Sequence, residues 1–332
     1  MGSISEAAAP RIVAVVGPTA SGKTALSLGL CRKLGGEVIC CDSMQVYRGM
    51  DIGTAKPTDE ERAAVPHHLV DIADPCETFT AADYVAAAEA AANDVLARGR
   101  VPVFCGGTGL YLDSFLRGGF SQVREDAEYR EQLARFAAEH GNEALHARLA
   151  KIDPESAAAI HPNNVRRVIR ALEIYHTEGL TKAELDRRSR ESAGRYDAVV
   201  IGLRYADREL LYRRIDLRVD AMVQAGLVGE VERLDRAGVF DRSGTAAQAI
   251  GYKELLPFVH GECSLEQAVD SLKTATRRYA KRQLTWFGAH GDVHWLDCDT
   301  FASQQELLAA ALALCHLREF ADGRPLKSRH KN

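Results

Sequence analysis

Residues Gly17-Pro18-Thr19-Ala20-Ser21-Gly22-Lys23-Thr24 follow an apolar, β-branched run, Ile12–Val16, and lead into a helix-forming stretch, Lys23–Leu34. A G-x-x-x-x-G-K-T pattern between a strand and a helix limits the possible folds more than any other feature of the chain. In such a loop the backbone N–H groups at the helix N-terminus surround phosphate oxygens. Lys23 adds a point charge, and Thr24 offers a hydroxyl to a magnesium ion. The pattern specifies a diphosphate or a triphosphate and leaves open which compound carries it.

The surrounding sequence supplies the sheet such a loop needs. Glu37–Cys41 and Val101–Cys105 read as buried strands, and Ala81–Ala97 reads as a helix closed by Arg98-Gly99. Strand and helix in alternation give a parallel sheet with helices on both faces. From Glu125 to about Arg195 the strand signals stop: Glu128–His140, Asn142–Ile152 and Asn163–Thr177 all carry helical patterns. Strand signals return at Asp197–Leu203 and Val293–Leu296, with a helix expected over Arg208–Gln224. The expected fold is therefore α/β, a P-loop NTPase-like parallel sheet carrying a helical insertion domain. Residues 1–124 and 196–322 form the core, 125–195 the insertion and 323–332 a basic disordered tail.

Composition excludes some classes. No stretch approaches the roughly 20 apolar residues of a membrane span, so a soluble, cytoplasmic protein is expected. The eight cysteines show no C-x-x-C pair and no zinc-ligand spacing, and several lie in apolar runs, as buried thiols of a reducing compartment do. The net charge of −4 argues against a polyanionic partner until its distribution is considered. Residues 161–290 hold 22 Lys and Arg against 18 Asp and Glu, whereas residues 1–124 hold 11 against 14. Surface potential acts locally at physiological salt, so a basic segment can meet an anion on an acidic protein.

Asp42 closes the second strand at the carboxyl edge of the sheet, where α/β proteins bind ligands. It can hold a metal, act as a general base or merely cap the following turn. Gly106-Gly107-Thr108-Gly109 ends the third strand where an NTPase often carries an Asp. Glycines there let backbone approach a ligand closely, which weakens an ATPase reading. Arg214 and Arg218 are i,i+4 neighbours on one helix face. They neutralise a phosphate leaving group or pair on the surface with Asp216 and Asp220. On the helix around Leu272–Trp286, Lys273, Arg277, Arg278, Lys281 and Arg282 have no carboxylate among them. A phosphate backbone would offset their repulsion. Arg166, Arg167 and Arg170 form a second cluster, and Leu272, Tyr279 and Trp286 a separate apolar row expected to face the core.

With these pieces in place, the sequence resembles the tRNA dimethylallyltransferase (tRNA isopentenyltransferase) family over nearly its whole length. The resemblance is carried by Gly17–Thr24, the run Asp42–Pro57, His67–Asp71, Gly106–Tyr111, Arg167–Glu173, Ala249–Glu254 and Lys281–Trp286. It implies transfer of a dimethylallyl group from dimethylallyl diphosphate to N6 of the adenosine 3′-adjacent to the anticodon, with release of diphosphate. Gly17, Pro18, Thr19, Ala20, Ser21, Gly22, Lys23 and Thr24 would hold the donor's diphosphate, with Mg2+ at Thr24. Asp42 would be the base, Thr108 would position the amine or nearby backbone, and Arg218 would be a second diphosphate contact. The tRNA anticodon stem-loop would meet Asp42, Ser43, Met44 and Gln45; Arg130; Arg166, Arg167 and Arg170; and Gln248, Gly251, Tyr252 and Lys253. Arg277, Lys281, Arg282, Gln283 and Trp286 complete that expected surface. Without a C-terminal zinc-finger pattern a bacterial-type enzyme is implied, acting as a monomer.

Two rivals remain from the residues alone. An ATP-dependent small-molecule or nucleoside kinase explains the P-loop but gives the basic helix no role. A non-catalytic RNA-binding ATPase explains the basic helix but not the run from Asp42 to Pro57.

Overall fold

The computed structural model of the chain describes residues 9–117, 125–191, 195–241 and 244–321, so the basic tail at 323–332 lies outside the described residues. The described chain divides into two compact units. One is built from the residues up to Thr80, Ala86–Leu112 and the chain from Tyr196 onward; the other from Ala81–Val85 and Asp113–Arg195. The second unit thus begins nearer the N-terminus than position 125, where the strand signals fade, and takes in five residues of an earlier helix.

The first unit is organised on a six-stranded, all-parallel sheet. In chain order its strands are β1 (Arg11–Val16), β2 (Gly36–Cys40), β3 (His67–His68), β4 (Val101–Cys105), β5 (Asp197–Arg204) and β6 (Val293–Asp297), arranged β3-β2-β4-β1-β5-β6. β1 pairs with β4 on one side and β5 on the other, and Ile12–Val16 are buried on both faces. A parallel strand covered on both faces reads as a continuous apolar run, as this one does. The strand order reverses around β1, so the loop leaving its carboxyl end opens into a crevice.

Helices accompany the first four strands: α1 (Lys23–Leu34), α2 (Asp59–Ala64), α3 (Ala81–Ala97) and α4 (Gly109–Arg117), with the first five residues of α3 and the last five of α4 counted in the second unit. Gly35, left-handed at φ 66°, ends α1 and its N–H bonds the Cys31 carbonyl. Inside apolar β2 sits one acid, Glu37, 1% exposed. It accepts hydrogen bonds from Arg98 (Nη2, 2.8 Å) and pairs with His68 Nε2 at 2.7 Å. Arg98 above all, and His68 after it, hold its carboxyl down near 2 against the opposing effect of burial. This pairing fastens the two-residue edge strand β3 to its neighbours.

The second unit is helical: α5 (Ala127–His140), α6 (Asn142–Ile152), α7 (Pro154–Ala159), α8 (Val165–Glu178) and α9 (Lys182–Glu191). Its core gathers Leu133, Leu145, Leu149, Val168 and Leu172. Beside that core lies Glu173, fully buried, which accepts from the Asp126 N–H (2.8 Å), Arg130 Nε (2.7 Å) and Arg170 Nη1 (2.6 Å).

The chain returns to the first unit with β5 and then α10 (Arg208–Gln224), α11 (Leu227–Arg236), α12 (Leu256–Val259), α13 (Leu265–Gly288) and α14 (Gln304–Ala321). α13 starts a full two turns before the residues that first suggest it. Ser264 accepts from the Gln267 N–H and Gln267 answers to the Ser264 N–H, a capping box that fixes the start. Among the described residues no helix is long and apolar enough to cross a membrane.

Candidate active site

One cleft of about 760 Å³ opens at the carboxyl edge of the sheet, and all its lining residues belong to the first unit. Its floor is the loop between β1 and α1. Gly17 takes φ 137°, and a Cβ there would lie 2.5 Å from the Leu203 carbonyl oxygen, so the loop leaves β1 only with glycine at this position. Ala20 is also left-handed, at φ 63°, and its carbonyl accepts from Arg214 Nε at 3.0 Å. Lys23 Nζ donates to the carbonyls of Gly17 (3.0 Å) and Pro18 (2.7 Å). Burial, with help from the Arg218 charge, lowers its ammonium to about 8 in spite of Asp42. Arg218 is lowered as well, by burial first and then by Arg214, with Asp42 opposing. Five cations (Lys23, Arg214, Arg218, Lys253 and Arg282) thus line the cleft against two carboxylates, Asp42 and Glu61, which makes it a site for an anion.

Asp42 and Tyr279 form the next wall, and Thr108, which does not itself line the cleft, supports it. Asp42 Oδ1 accepts from the backbone N–H groups of Met44 (2.9 Å) and Gln45 (3.4 Å), so the turn-capping role is real and occupies one oxygen. Thr108 Oγ1 accepts from the Ser43 N–H (3.0 Å) and lies 3.3 Å from Ser43 Oγ, while its own N–H bonds the Cys41 carbonyl. Thr108 therefore braces the turn that carries Asp42. Tyr279, expected in an apolar core row, instead lines the cleft. Its phenol is pushed up by burial and by the Asp42 charge, and it meets Thr108 and Gln283. The buried stripe of α13 is Ala268, Leu272, Ala280, Gln283 and Phe287.

The Gly106–Gly109 turn does approach other groups closely, but those groups are protein. A Cβ on Gly106 would lie 1.9 Å from the Cys41 carbonyl, one on Gly107 2.0 Å from Gln283 Nε2, and one on Gly109 2.2 Å from Trp286 Cδ1.

The far wall is held by a carboxylate no sequence pattern marks. Glu230 on α11 is 2% exposed and accepts from the backbone N–H groups of Asp51 (3.0 Å), Ile52 (2.9 Å) and Gly53 (3.0 Å). The Tyr252 hydroxyl donates to it at 2.7 Å. Tyr252, expected at an RNA-facing surface, is fully buried and serves this clamp. Gly251 beside it is buried in a left-handed conformation, φ 105°. Glu230→Ala would strand three partly buried backbone N–H groups and a buried phenol, at a cost of about 3 kcal/mol in urea unfolding. Tyr252→Phe, which removes one of the four donors, is expected to cost about 1 kcal/mol.

The remaining expected site residues divide. Gln248, Lys253, Lys281 and Arg282 are exposed, and Gln248, Lys253 and Arg282 line the cleft. Gln45 is tied through Nε2 to the carbonyls of Thr54 and Ala55. Arg277 bonds Asp216 at 2.8 Å and Lys273 bonds Asp220 at 2.7 Å. The acids that Arg214 and Arg218 could have used are therefore committed to α13, and both arginines line the cleft. Arg277 is correspondingly less available than an unpaired basic stripe suggests. Gln283 is buried, and Trp286 is half-buried against Gly109. In the second unit Arg166 and Arg167 are exposed, whereas Arg130 and Arg170 are held by Glu173. None of the eight cysteines, all among the described residues, forms a disulfide, and only Cys31, Cys40, Cys41 and Cys315 are buried.

Among the described residues no group of three His, Cys, Asp or Glu side chains could enclose a metal ion. The oxygens nearest the proposed chemistry include the exposed Thr24 hydroxyl and the second carboxylate oxygen of Asp42. That sparse donor set suits a hard cation that completes its shell with substrate phosphate and water, as magnesium does.

A family model described as IPP transferase matches residues 45–290, and one described as isopentenyl transferase matches residues 10–70. A tRNA dimethylallyltransferase of Geobacillus thermodenitrificans is 51% identical over 288 residues, 86% of this chain and 90% of that one. One from Geobacillus kaustophilus is 48% identical over 309 residues, covering 92% and 97%. Among solved structures, a full-length tRNA isopentenylpyrophosphate transferase from Bacillus halodurans superposes with a TM-score of 0.68 at 45% identity, covering 95% of this chain and 99% of that one. A eukaryotic dimethylallyltransferase acting on tRNA gives a TM-score of 0.78 at 31% identity, with 96% and 81% covered.

Proposed function

The chain belongs to the tRNA dimethylallyltransferase family, and from that premise we propose that it transfers a dimethylallyl group from dimethylallyl diphosphate to N6 of the adenosine 3′-adjacent to the anticodon. The observation that carries this reading is a single cleft lined both by the P-loop with Arg218 and by Asp42. Family membership sets aside the kinase alternative, which leaves the basic face of α13 unused.

In this reading the donor's diphosphate lies on the loop from Gly17 to Thr24, with Lys23, Arg214 and Arg218 facing its oxygens. Leu217, Met222 and Met44 offer the same cleft an apolar wall for a five-carbon chain. The target adenosine leaves its stack to reach the cleft. Its N6 attacks C1 of the donor: the N–C bond forms, the C1–O bond breaks, and the electron pair departs with diphosphate. Asp42 takes the proton that N6 sheds. Thr108 keeps the Asp42 turn in register, so the attacking amine meets a fixed acceptor. A divalent cation, Mg2+ in our reading, would sit at Thr24 and supply neutralisation of the leaving diphosphate. The tRNA is met by the exposed cations of α13 and by Arg166 and Arg167, the enzyme acting as a cytoplasmic monomer.

Incubation with unmodified tRNA and radiolabelled dimethylallyl diphosphate, followed by nucleoside analysis, tests the assignment. Label on N6 of one adenosine is expected. Unlabelled tRNA together with ATP-dependent phosphorylation of a small molecule would overturn it. The double variant R278A/K281A, at two exposed positions outside the cleft lining, is expected to weaken tRNA binding and reduce its log–log salt slope by about 2, with donor binding unchanged. An unaltered slope returns those cations to ordinary solvated surface.

A further inference from the structure

Gln283 sits on the same helix as the exposed cations Lys281 and Arg282, yet it is only 5% exposed. Its side-chain amide is fully engaged inside the protein. Oε1 accepts the Thr19 N–H at 2.9 Å, and Nε2 donates to the Gly107 carbonyl at 3.0 Å. One amide therefore joins the third residue of the phosphate loop to the turn that ends β4. There is no slack around it, since a Cβ on Gly107 would lie 2.0 Å from Nε2.

A phosphate loop works by aiming its N–H groups at one point, and that aim depends on where the loop backbone is held. Thr19 lies between Gly17, fixed against Leu203, and Ala20, fixed by Arg214. With its N–H bonded to Gln283, Thr19 is a point at which the loop leading into Ala20–Thr24 is held. α13 braces the opposing bank of cations too, through Arg277–Asp216 and Lys273–Asp220 onto α10.

We infer that Gln283 is a positioning residue for the phosphate loop, acting on the donor through Thr19, and not an RNA contact. The inference rests on the proposed diphosphate role of the loop. Its test uses full-length enzyme with two measurements. The first is the affinity for inorganic diphosphate with Mg2+, by calorimetry in the absence of RNA. The second is the affinity for an anticodon stem-loop RNA by fluorescence anisotropy. Gln283→Leu, which keeps the volume and removes the hydrogen bonds to Thr19 and Gly107 together with the contact to the Tyr279 phenol, is expected to weaken diphosphate binding roughly tenfold and to change RNA affinity less than about twofold. Gly107→Ala reaches the same amide from the other side and should reproduce the pattern, so the conclusion does not hang on one variant's folding.

An unchanged diphosphate affinity in both variants overturns the inference, as does a tenfold loss of RNA affinity in Gln283→Leu. A wild-type enzyme that binds no diphosphate at all overturns the reading of the loop, and the inference with it.

Discussion

Asp42→Asn is expected to slow dimethylallyl transfer by at least about a hundredfold, the usual scale for removing a general base. The substitution is clean for a structural reason. The Oδ1 atom of Asp42 caps the turn by accepting from Met44 and Gln45, and an asparagine oxygen can keep both bonds. What the variant loses is the negative charge and the basicity of the second oxygen. Single-turnover transfer with saturating tRNA should therefore fall while the affinity for dimethylallyl diphosphate stays within about twofold. If donor affinity falls in step with rate, the carboxylate acts mainly at the metal. Asp42→Ala then serves as the contrasting variant, because it breaks the turn as well. It should weaken tRNA binding and lower the melting temperature, neither of which Asn should do. The same comparison separates Thr108 from Asp42. Thr108→Val removes the hydroxyl that accepts from the Ser43 N–H, so it is expected to resemble Asp42→Ala in milder form.

The fold was legible where punctuation and period agreed. α1, α3, α6 and α10 run over the residues their patterns mark, because Gly35, Gly99, Gly141 and Asp207 bound them locally. β3 was not legible as a strand: two residues carry no period, and its place on the sheet edge depends on Glu37, thirty-one positions upstream of His68. α13 was read short, although the Ser264–Gln267 capping box marks its start. The site residues that escaped notice are those whose meaning lies in a distant partner. Glu230 is one acid in an amphipathic helix until Asp51 to Gly53, some 178 positions away, turn their N–H groups onto it. Arg277 belongs to a charge run until Asp216 appears opposite it. Tyr279 and Gln283 exchange the roles their types suggest. A seven-residue apolar spacing points the tyrosine inward, yet the buried stripe of α13 passes through the glutamine instead. Composition favours burying a phenyl ring over an amide, and only the presence of two backbone partners for that amide reverses the order.

Lys23 carries the second large effect. In the cleft its ammonium is held near 8, chiefly by burial, against the ordinary value of 10.5. A diphosphate laid beside it adds negative charge and must raise that value, so the complex binds a proton that part of the free enzyme lacks. The sign follows from the linkage. Below about pH 8 the ammonium is already formed and donor affinity is at its plateau. Above pH 8 protonation has to accompany binding, and affinity should fall, by up to about tenfold per pH unit until the raised value in the complex is reached. A diphosphate ester has completed its own ionisation well below this range, since the second phosphate pKa lies near 6. Calorimetry with dimethylallyl diphosphate at pH 7, 8 and 9 should show the dissociation constant rising only across the upper interval. Repeating it in buffers of different ionisation enthalpy should show proton uptake. Lys23→Met should lose about a hundredfold in transfer rate, on the scale of deleting one charge-stabilising donor from an active site. It should also bind the donor with no pH dependence over the same range. A wild-type profile that stays flat from pH 7 to 9 would mean that the ammonium is already held charged without the diphosphate. The carbonyls of Gly17 and Pro18 that it bonds, together with Asp42, would then outweigh its burial.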